Sequence, residues 1–169
     1  ADVYSMVSLL KDLGCSVYWQ ETGLVVDSTQ VKRGEMCREA VTGMRSSLCL
    51  LGALLGRCGE LVMEHPGGCV IGERPIDLHL TALGQMGVEF TESGGRLQAV
   101  ASELHGACIR LPFPSVGATE NVILAGVAAC GDTILEGAAL EPEIRTLCCY
   151  LQCCGAYIEG VGSSRIIIH

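Results

Sequence analysis

Aromatic side chains are scarce in this chain of 169 residues, at 4%, and charged ones make up only 18%. No apolar run reaches the roughly 18 to 20 residues that a bilayer-spanning helix needs, so a membrane is not an expected partner. The chain opens ADVYSMVSLL, with no basic stretch leading into an apolar segment, and no secretory signal is expected. Cations are in deficit: 11 lysines and arginines stand against 19 aspartates and glutamates, for a formal charge of -8. That field argues against nucleic acid as a partner, because backbone binding needs clustered cations. It admits an anionic small molecule only where single arginines are placed to receive it. Apolar residues, by contrast, reach 49%, which suits one compact domain with a good core or two small fused lobes.

Cysteine is the other residue in surplus, at 11. A secreted disulfide scaffold is usually small and poor in apolar residues. This chain is rich in leucine, isoleucine and valine, so its thiols are read as reduced, small hydrophobes of a cytoplasmic protein. The segment EIRTLCCYLQCCG is predicted to be a helix whose apolar face carries Ile144, Leu147, Cys148, Leu151 and Cys154. Cys149 and Cys153 share a flank, but no other ligand signature accompanies them, and neither a metal nor a cofactor is expected.

Three segments superpose along the chain, starting at Asp2, Pro75 and Glu143. Leu10, Leu83 and Leu151 share one offset, and Gly14, Gly87 and Gly155 share another. Each segment reads as an amphipathic helix stopped by glycine, followed by a hairpin. A second element also recurs: MRSSLCLLGALLGRCGELVMEH from Met44 matches VGATENVILAGVAACGDTILEG from Val116, as a helix and then a strand. The repeating unit is helix, strand, helix, strand, strand, with a period of about 70 residues. This divides a single domain, 1–169, into a partial repeat 1–43 that lacks its first helix and strand, a repeat 44–115 and a repeat 116–169. Such units cannot bury their apolar faces alone. The runs LCLLGALLG and VILAGVAA are expected to be buried on more than one side, with sheets packed outside them.

From Gly59 to Pro75 the chain is four residues longer than its counterpart from Gly131 to Glu143, and the surplus falls in HPGGCVIGERP. Extra length between matched elements is cheap in closure entropy and is often where function lives. Gly67 and Gly68 are candidate hinges, and Cys69 between them and Arg74 is either a chemical thiol or an incidental one. Arg74 precedes Pro75, which suits the first turn of a helix whose unpaired amides attract anions. The alternative is an arginine that merely solvates a helix end. Arg45 opens the other helix of that unit. Gly117 stands at the equivalent place in the next, where Ser115, Val116 and Gly117 offer either amides for phosphate oxygens or a simple helix cap.

LPFPSVGATEN, PGGCVIGERPIDLH and EGAALEPEI, in the chain, resemble motifs of the UDP-N-acetylglucosamine enolpyruvyl transferases of bacterial cell-wall synthesis. The resemblance runs through nearly the whole chain. It implies one domain of an α/β protein: an inside-out α/β barrel built from βαβαββ repeats, here with the first repeat truncated. It implies UDP-N-acetylglucosamine and phosphoenolpyruvate as partners, a second domain facing a shared cleft, and a place in peptidoglycan biosynthesis, hence in cell shape and cell division.

Carried over residue by residue, Cys69 matches the mobile-loop cysteine that protonates the methylene carbon of phosphoenolpyruvate and is alkylated by fosfomycin. Arg74 matches the arginine that grips the phosphoenolpyruvate phosphate. Pro75, Ile76, Asp77 and Leu78 match the stretch around the uracil ring. Ser115, Val116 and Gly117 match the amides around the diphosphate, while Arg45 and His79 match residues lining the nucleotide-sugar side. Glu141 matches an acidic position read as structural.

The chain departs from the family pattern at Cys49, where members carry an aromatic residue, and at Phe113 and Pro114. The family's upstream SKN segment and its second domain have no counterpart in these residues. The expectation is therefore a fragment of the transferase, inactive alone. A non-catalytic nucleotide-sugar binding module is the alternative.

Overall fold

The computed structural model describes residues 2–31, 34–36, 45–64 and 76–169. Its first elements are helix α1 (Asp2–Asp12) and the hairpin β1 (Ser16–Gln20) and β2 (Gly23–Asp27). Next come β3 (Gly34–Glu35), a 3-10 turn (Arg45–Cys49) running into α2 (Leu50–Cys58), and β4 (Glu60–Glu64). Helix α3 (Asp77–Gln85) then leads to β5 (Glu89–Ser93) and β6 (Arg96–Val100). The last unit is β7 (Cys108–Arg110), α4 (Val116–Gly126), β8 (Thr133–Glu136), α5 (Pro142–Cys153), β9 (Ile158–Glu159) and β10 (Arg165–Ile168).

Two four-stranded sheets share one topology. The order is β3-β4-β6-β5 in one and β7-β8-β10-β9 in the other, and β1-β2 forms a separate pair. In each large sheet the opening strand lies parallel to the next, while the closing hairpin is antiparallel. A parallel pair needs a crossover, which α2 and α4 supply. The three aligned glycines Gly14, Gly87 and Gly155 have φ of 94°, 91° and 104°. Only glycine enters that left-handed region without steric cost, so each ends its helix and turns the chain into the hairpin. Among the described residues the three sheets remain separate and do not close into a barrel.

The helices rich in small residues lie inside. Helix α4 buries Ala118, Thr119, Asn121, Val122, Ile123, Ala125 and Gly126, which covers most of its circumference. Helix α2 faces it with glycines: a Cβ on Gly52 would collide with the Asn121 carbonyl, and one on Gly56 would stand 2.8 Å from the Ala128 Cβ. The two helix axes can approach this closely because these side chains are missing. Outside them, β4 and β6 turn Leu61, Met63, Leu97 and Ala99 inward, paired as Leu61↔Ala99 and Met63↔Leu97. Strands β8 and β10 do the same with Leu135, Ile166 and Ile168. Inner helices with outer sheets match the reading of the two small-residue runs.

The cysteines depart from expectation. Cys148 is buried on the apolar face of α5, beside Ile144, but Cys154 follows the helix end and is exposed. Cys108, Cys130, Cys149 and Cys153 are exposed as well. Cys108 falls on the outward face of β7, so an apolar neighbourhood in sequence did not shield it, while Cys149 and Cys153 lie on the flank of α5 away from its apolar face, as their spacing implies. Among the described residues no group of three or more metal-ligating side chains comes together. None of the described helices is long and apolar enough to cross a membrane.

Candidate functional site

The first turns of α2, α3 and α4 meet around one side chain, Asn121. It lies in the second turn of α4 with no exposed surface. Its Oδ1 accepts from the Gly52 amide at 2.7 Å. Gly52 belongs to the first turn of α2, whose amides have no partner within the helix, and its N-cap residue, Cys49, makes no side-chain cap. Asn121 therefore caps α2 from a neighbouring helix. Its Nδ2 donates to the Leu48 carbonyl at 2.9 Å and approaches His79 Nδ1 at 2.8 Å and the Gly117 carbonyl at 3.2 Å.

Helix α4 begins at a serine because serine can cap. Ser115 is extended, at φ -130° and ψ 117°, and its hydroxyl accepts from the Ala118 amide at 3.4 Å. Thr119, one turn on, is buried and accepts from the Ala139 amide at 3.1 Å, which ties the loop before α5 to the same helix start. Gly117 lies directly against His79: a Cβ there would stand 3.0 Å from His79 Cε1.

Glu120, beside Asn121, reaches back to α2, and the Cys49 thiol donates to its Oε2 at 3.2 Å. Burial pushes that thiol up to about 12, helped by the Glu120 charge and by the hydrogen bond. Cys49 is thus locked as a neutral thiol at physiological pH and is no nucleophile.

The structure brings His79 together with Gly117 and sets both next to the 3-10 turn that Arg45 opens. Ile76 is buried as the residue preceding α3, Asp77 is exposed in its first turn, and Leu78 is half-buried against the core. Val116 is half-buried and packs on the same core. Glu141 precedes α5 and is exposed, with no side-chain cap bond. Cys69, Arg74 and Pro75 lie outside the described residues, as do the candidate hinges Gly67 and Gly68.

Two features escaped the sequence. One is Asn121, which the motif SVGATEN contains but whose partners Leu48, Gly52 and His79 lie 42 to 73 residues away. The other is an open groove of about 400 Å³ at the end of the sheet where β7 and β8 finish, lined by Arg110, Leu111, Glu136, Gly137, Ser164 and Arg165. Arg110 donates to Glu136 at 2.6 and 2.9 Å, and Arg165 stands 3.9 Å from the same carboxylate. Glu64 and Arg96 repeat the carboxylate–guanidinium pair in the other sheet, at 3.1 Å.

Comparison with known proteins assigns this architecture. The solved enolpyruvyl transferase NikO from Streptomyces tendae superposes with a TM-score of 0.85 at 23% identity, covering 100% of this chain and 40% of that one. An EPSP synthase from Acinetobacter baumannii superposes with a TM-score of 0.68 at 20% identity, over 98% of this chain and 38% of its own. At such identities the likeness establishes the fold, which is enolpyruvyl transferase-like with mixed α/β content.

Sequence relatives lie nearer. UDP-N-acetylglucosamine 1-carboxyvinyltransferase 2 from Caldanaerobacter subterraneus subsp. tengcongensis is 44% identical over 167 residues, 99% of this chain. UDP-N-acetylglucosamine 1-carboxyvinyltransferase from Nitratidesulfovibrio vulgaris is 45% identical over 165 residues, 98% of this chain. The chain spans 40% and 39% of the lengths of these two relatives. The family model described as EPSP synthase (3-phosphoshikimate 1-carboxyvinyltransferase) matches residues 1–169, and the chain belongs to that family.

Proposed function

We propose that the chain is the nucleotide-sugar and cysteine-loop domain of a UDP-N-acetylglucosamine 1-carboxyvinyltransferase of peptidoglycan biosynthesis, working in the cytoplasm. The observation that carries this reading is the 44–45% identity to relatives of that name over 98–99% of the chain. In the whole protein the 3-hydroxyl oxygen of UDP-N-acetylglucosamine bonds to C2 of phosphoenolpyruvate while the Cys69 thiol delivers a proton to the methylene carbon. The tetrahedral adduct then loses phosphate and a proton from that carbon, leaving an enolpyruvyl ether. Arg74 clamps the phosphate being lost, and Arg45 and the Ser115–Val116–Gly117 turn hold the diphosphate. The ring lies between Pro75, Ile76 and Leu78, with Asp77 accepting from the uracil N–H and His79 behind them.

The geometry that supports this is the meeting of three helix starts, whose amides and positive ends favour anions. An inside-out barrel completed by a further helix and strand on the first unit, and a second domain facing the site, belong to the same reading. The base that removes the hydroxyl proton would come from that second domain.

Phosphate release measured with both substrates tests the reading. The full-length protein is expected to turn over, and the isolated 169 residues to match the buffer blank, because orientation and electrostatic terms from a facing domain are missing. Nucleotide-sugar binding without turnover by the full-length protein would favour the binding-module alternative. In calorimetric titration Asp77→Ala is expected to weaken UDP-N-acetylglucosamine binding by about 1 to 3 kcal/mol, since a buried uracil donor loses its acceptor. Unchanged affinity with a lowered melting temperature would make Asp77 a helix-dipole residue instead.

A further inference from the structure

Glu136, at the end of β8, has an arginine directly across from it on each neighbouring strand: Arg110 closes β7 and Arg165 opens β10. Cross-strand neighbours in register share one face, so one carboxylate stands between two guanidinium groups. It satisfies only one of them. Arg110 takes Oε2 with both Nε and Nη2, at 2.9 and 2.6 Å. Arg165 Nε lies 3.9 Å from Oε1, beyond hydrogen-bond reach, and its guanidinium has no hydrogen-bond partner among the described residues. Two cations against one carboxylate leave a positive charge over, in a chain whose formal charge is -8.

The space in front of the arginines is shaped by main chain. Gly137 lines it at φ 78°, where a Cβ would stand 2.7 Å from the Leu111 carbonyl. The Leu111 amide donates to the Glu136 carbonyl at 2.9 Å, and the Ser163 hydroxyl bonds the Arg165 backbone at 2.7 and 3.2 Å. Both arginines therefore start from fixed backbone. The tip of the β5–β6 hairpin supplies the contrast. Its open groove of about 300 Å³ holds one guanidinium, Arg96, which is already bonded to Glu64 at 3.1 Å, and Glu92 lines the same space. No positive charge is left over there.

We propose that the groove between Arg110 and Arg165 is an oxyanion site, taking the carboxylate or phosphoryl group of a small anion. Arg165 is its principal donor, and Glu136 holds Arg110 in place beside it. A guanidinium presents paired N–H donors that match two oxygens of either group. Arg165 has these donors unspent, and Ser164 lines the same groove. The site shares no residue with those placed on either substrate in the transferase reading, so the two stand or fall separately.

The test uses the full-length protein labelled with 15N-arginine. Its side-chain Nε–H signals are followed during titration with inorganic phosphate and, separately, with malonate, at an ionic strength held constant with chloride. The signals of Arg110 and Arg165 are assigned by their loss in Arg110→Gln and Arg165→Gln. The Arg165 signal is expected to shift saturably with at least one anion. Saturation by phosphate alone makes the ligand a phosphoryl compound, by malonate alone a carboxylate, and by both a compound of either kind. No saturable shift at Arg165 in either titration would overturn the proposal. Arg165→Gln, followed through Arg110, is expected to weaken the anion by about tenfold or more. Arg110→Gln, followed through Arg165, should do the same, because the freed Glu136 then takes Arg165. Arg96→Gln removes the same charge from the other sheet, where screening leaves it little reach, and should change the affinity by no more than about twofold. A loss in Arg96→Gln as large as in Arg165→Gln would mean that net charge binds the anion, and the site would be withdrawn.

Discussion

Val3, Ile76 and Ile144 occupy the same place near the starts of α1, α3 and α5, yet they are 58%, 6% and 2% exposed. The strands repeat the contrast. Val26 of β2, paired with Val17, is 44% exposed, while Ala99 of β6 and Ile168 of β10, paired with Phe90 and Ile158 at the same place in their hairpins, have no exposed surface. The three segments nevertheless have the same local structure: a helix, a left-handed glycine and a hairpin. Strands β6 and β10 each have a neighbour on both sides, whereas β2 pairs with β1 alone among the described residues. Local pattern therefore sets the shape of a unit, and burial of its inner face is supplied by the units and strands around it. Tyr4 and Trp19, exposed and 6.3 Å apart, lie on the same under-covered unit.

The largest expected difference is energetic. Ile144→Ala should cost about 2 to 5 kcal/mol in chemical denaturation, as for other buried aliphatic truncations. Val3→Ala, at the matching position, should stay within about 0.5 kcal/mol. Equal costs would mean that the first unit is as well covered as the third.

The aligned glycines sharpen the contrast with backbone held constant. Among the described residues, alanine at Gly14 meets only the Gln30 carbonyl, at 3.8 Å, so it should carry just the left-handed penalty of about 1 to 2 kcal/mol. Alanine at Gly87 has nearly the same φ but meets His105 Nε2 at 2.9 Å and the Glu103 carbonyl at 3.0 Å. Overpacking should add about 1 to 3 kcal/mol there. Matching melting temperatures for the two variants would show that the crowding relaxes freely.

The thiols give a smaller contrast. Burial raises both Cys15 of the first unit and Cys49 of the second, but Arg57 opposes the shift at Cys15 whereas Glu120 reinforces it at Cys49. Timed alkylation with peptide mapping should label Cys15 before Cys49, and Glu120→Gln should narrow the gap without closing it, since burial is the larger cause. The sign for stability follows from the raised folded value. The neutral Cys49 thiol contributes fully below its ordinary value of 9.0, and the contribution is lost as pH rises toward about 12. Cys49→Ala should therefore flatten the alkaline decline in melting temperature.

Smallest of all should be the exposed ion pairs that the two sheets share. Arg96→Ala and Arg110→Ala are each expected to change stability by no more than about 1 kcal/mol. A larger loss at Arg110 would indicate that the groove beside Glu136 depends on the pair for its shape.

Much of this architecture was legible because glycine and apolar spacing report on backbone directly. Gly14, Gly87 and Gly155 align in sequence and all three adopt the left-handed conformation. The runs around Gly52 and Val122 read as doubly buried for the same reason. Strands β3 and β7, of two and three residues, are too short to carry a period, and only their parallel partners define them. The exposure of Cys149 and Cys153 follows from spacing, which sets them off the apolar face of α5, and composition does not encode that. Asn121 was hidden for another reason. A buried amide in a helix has no pattern of its own, and its meaning comes from Leu48, Gly52 and His79, contributed by other elements. The groove at Arg110, Glu136 and Arg165 likewise exists only through register across β7, β8 and β10.

The contacts of Asn121 bear on how such a site can change over time. Leu48, Gly52 and His79 come from one repeat, and Asn121 and Gly117 from the next, so the site lies on a seam between copies. Copying one repeat carries the helices along but leaves the seam behind, and drift on one side must be answered on the other. Substitutions at Asn121 and His79 should therefore arise as matched pairs across homologous sequences, whereas sheet positions such as Leu97 and Ile166 can vary within their own repeat.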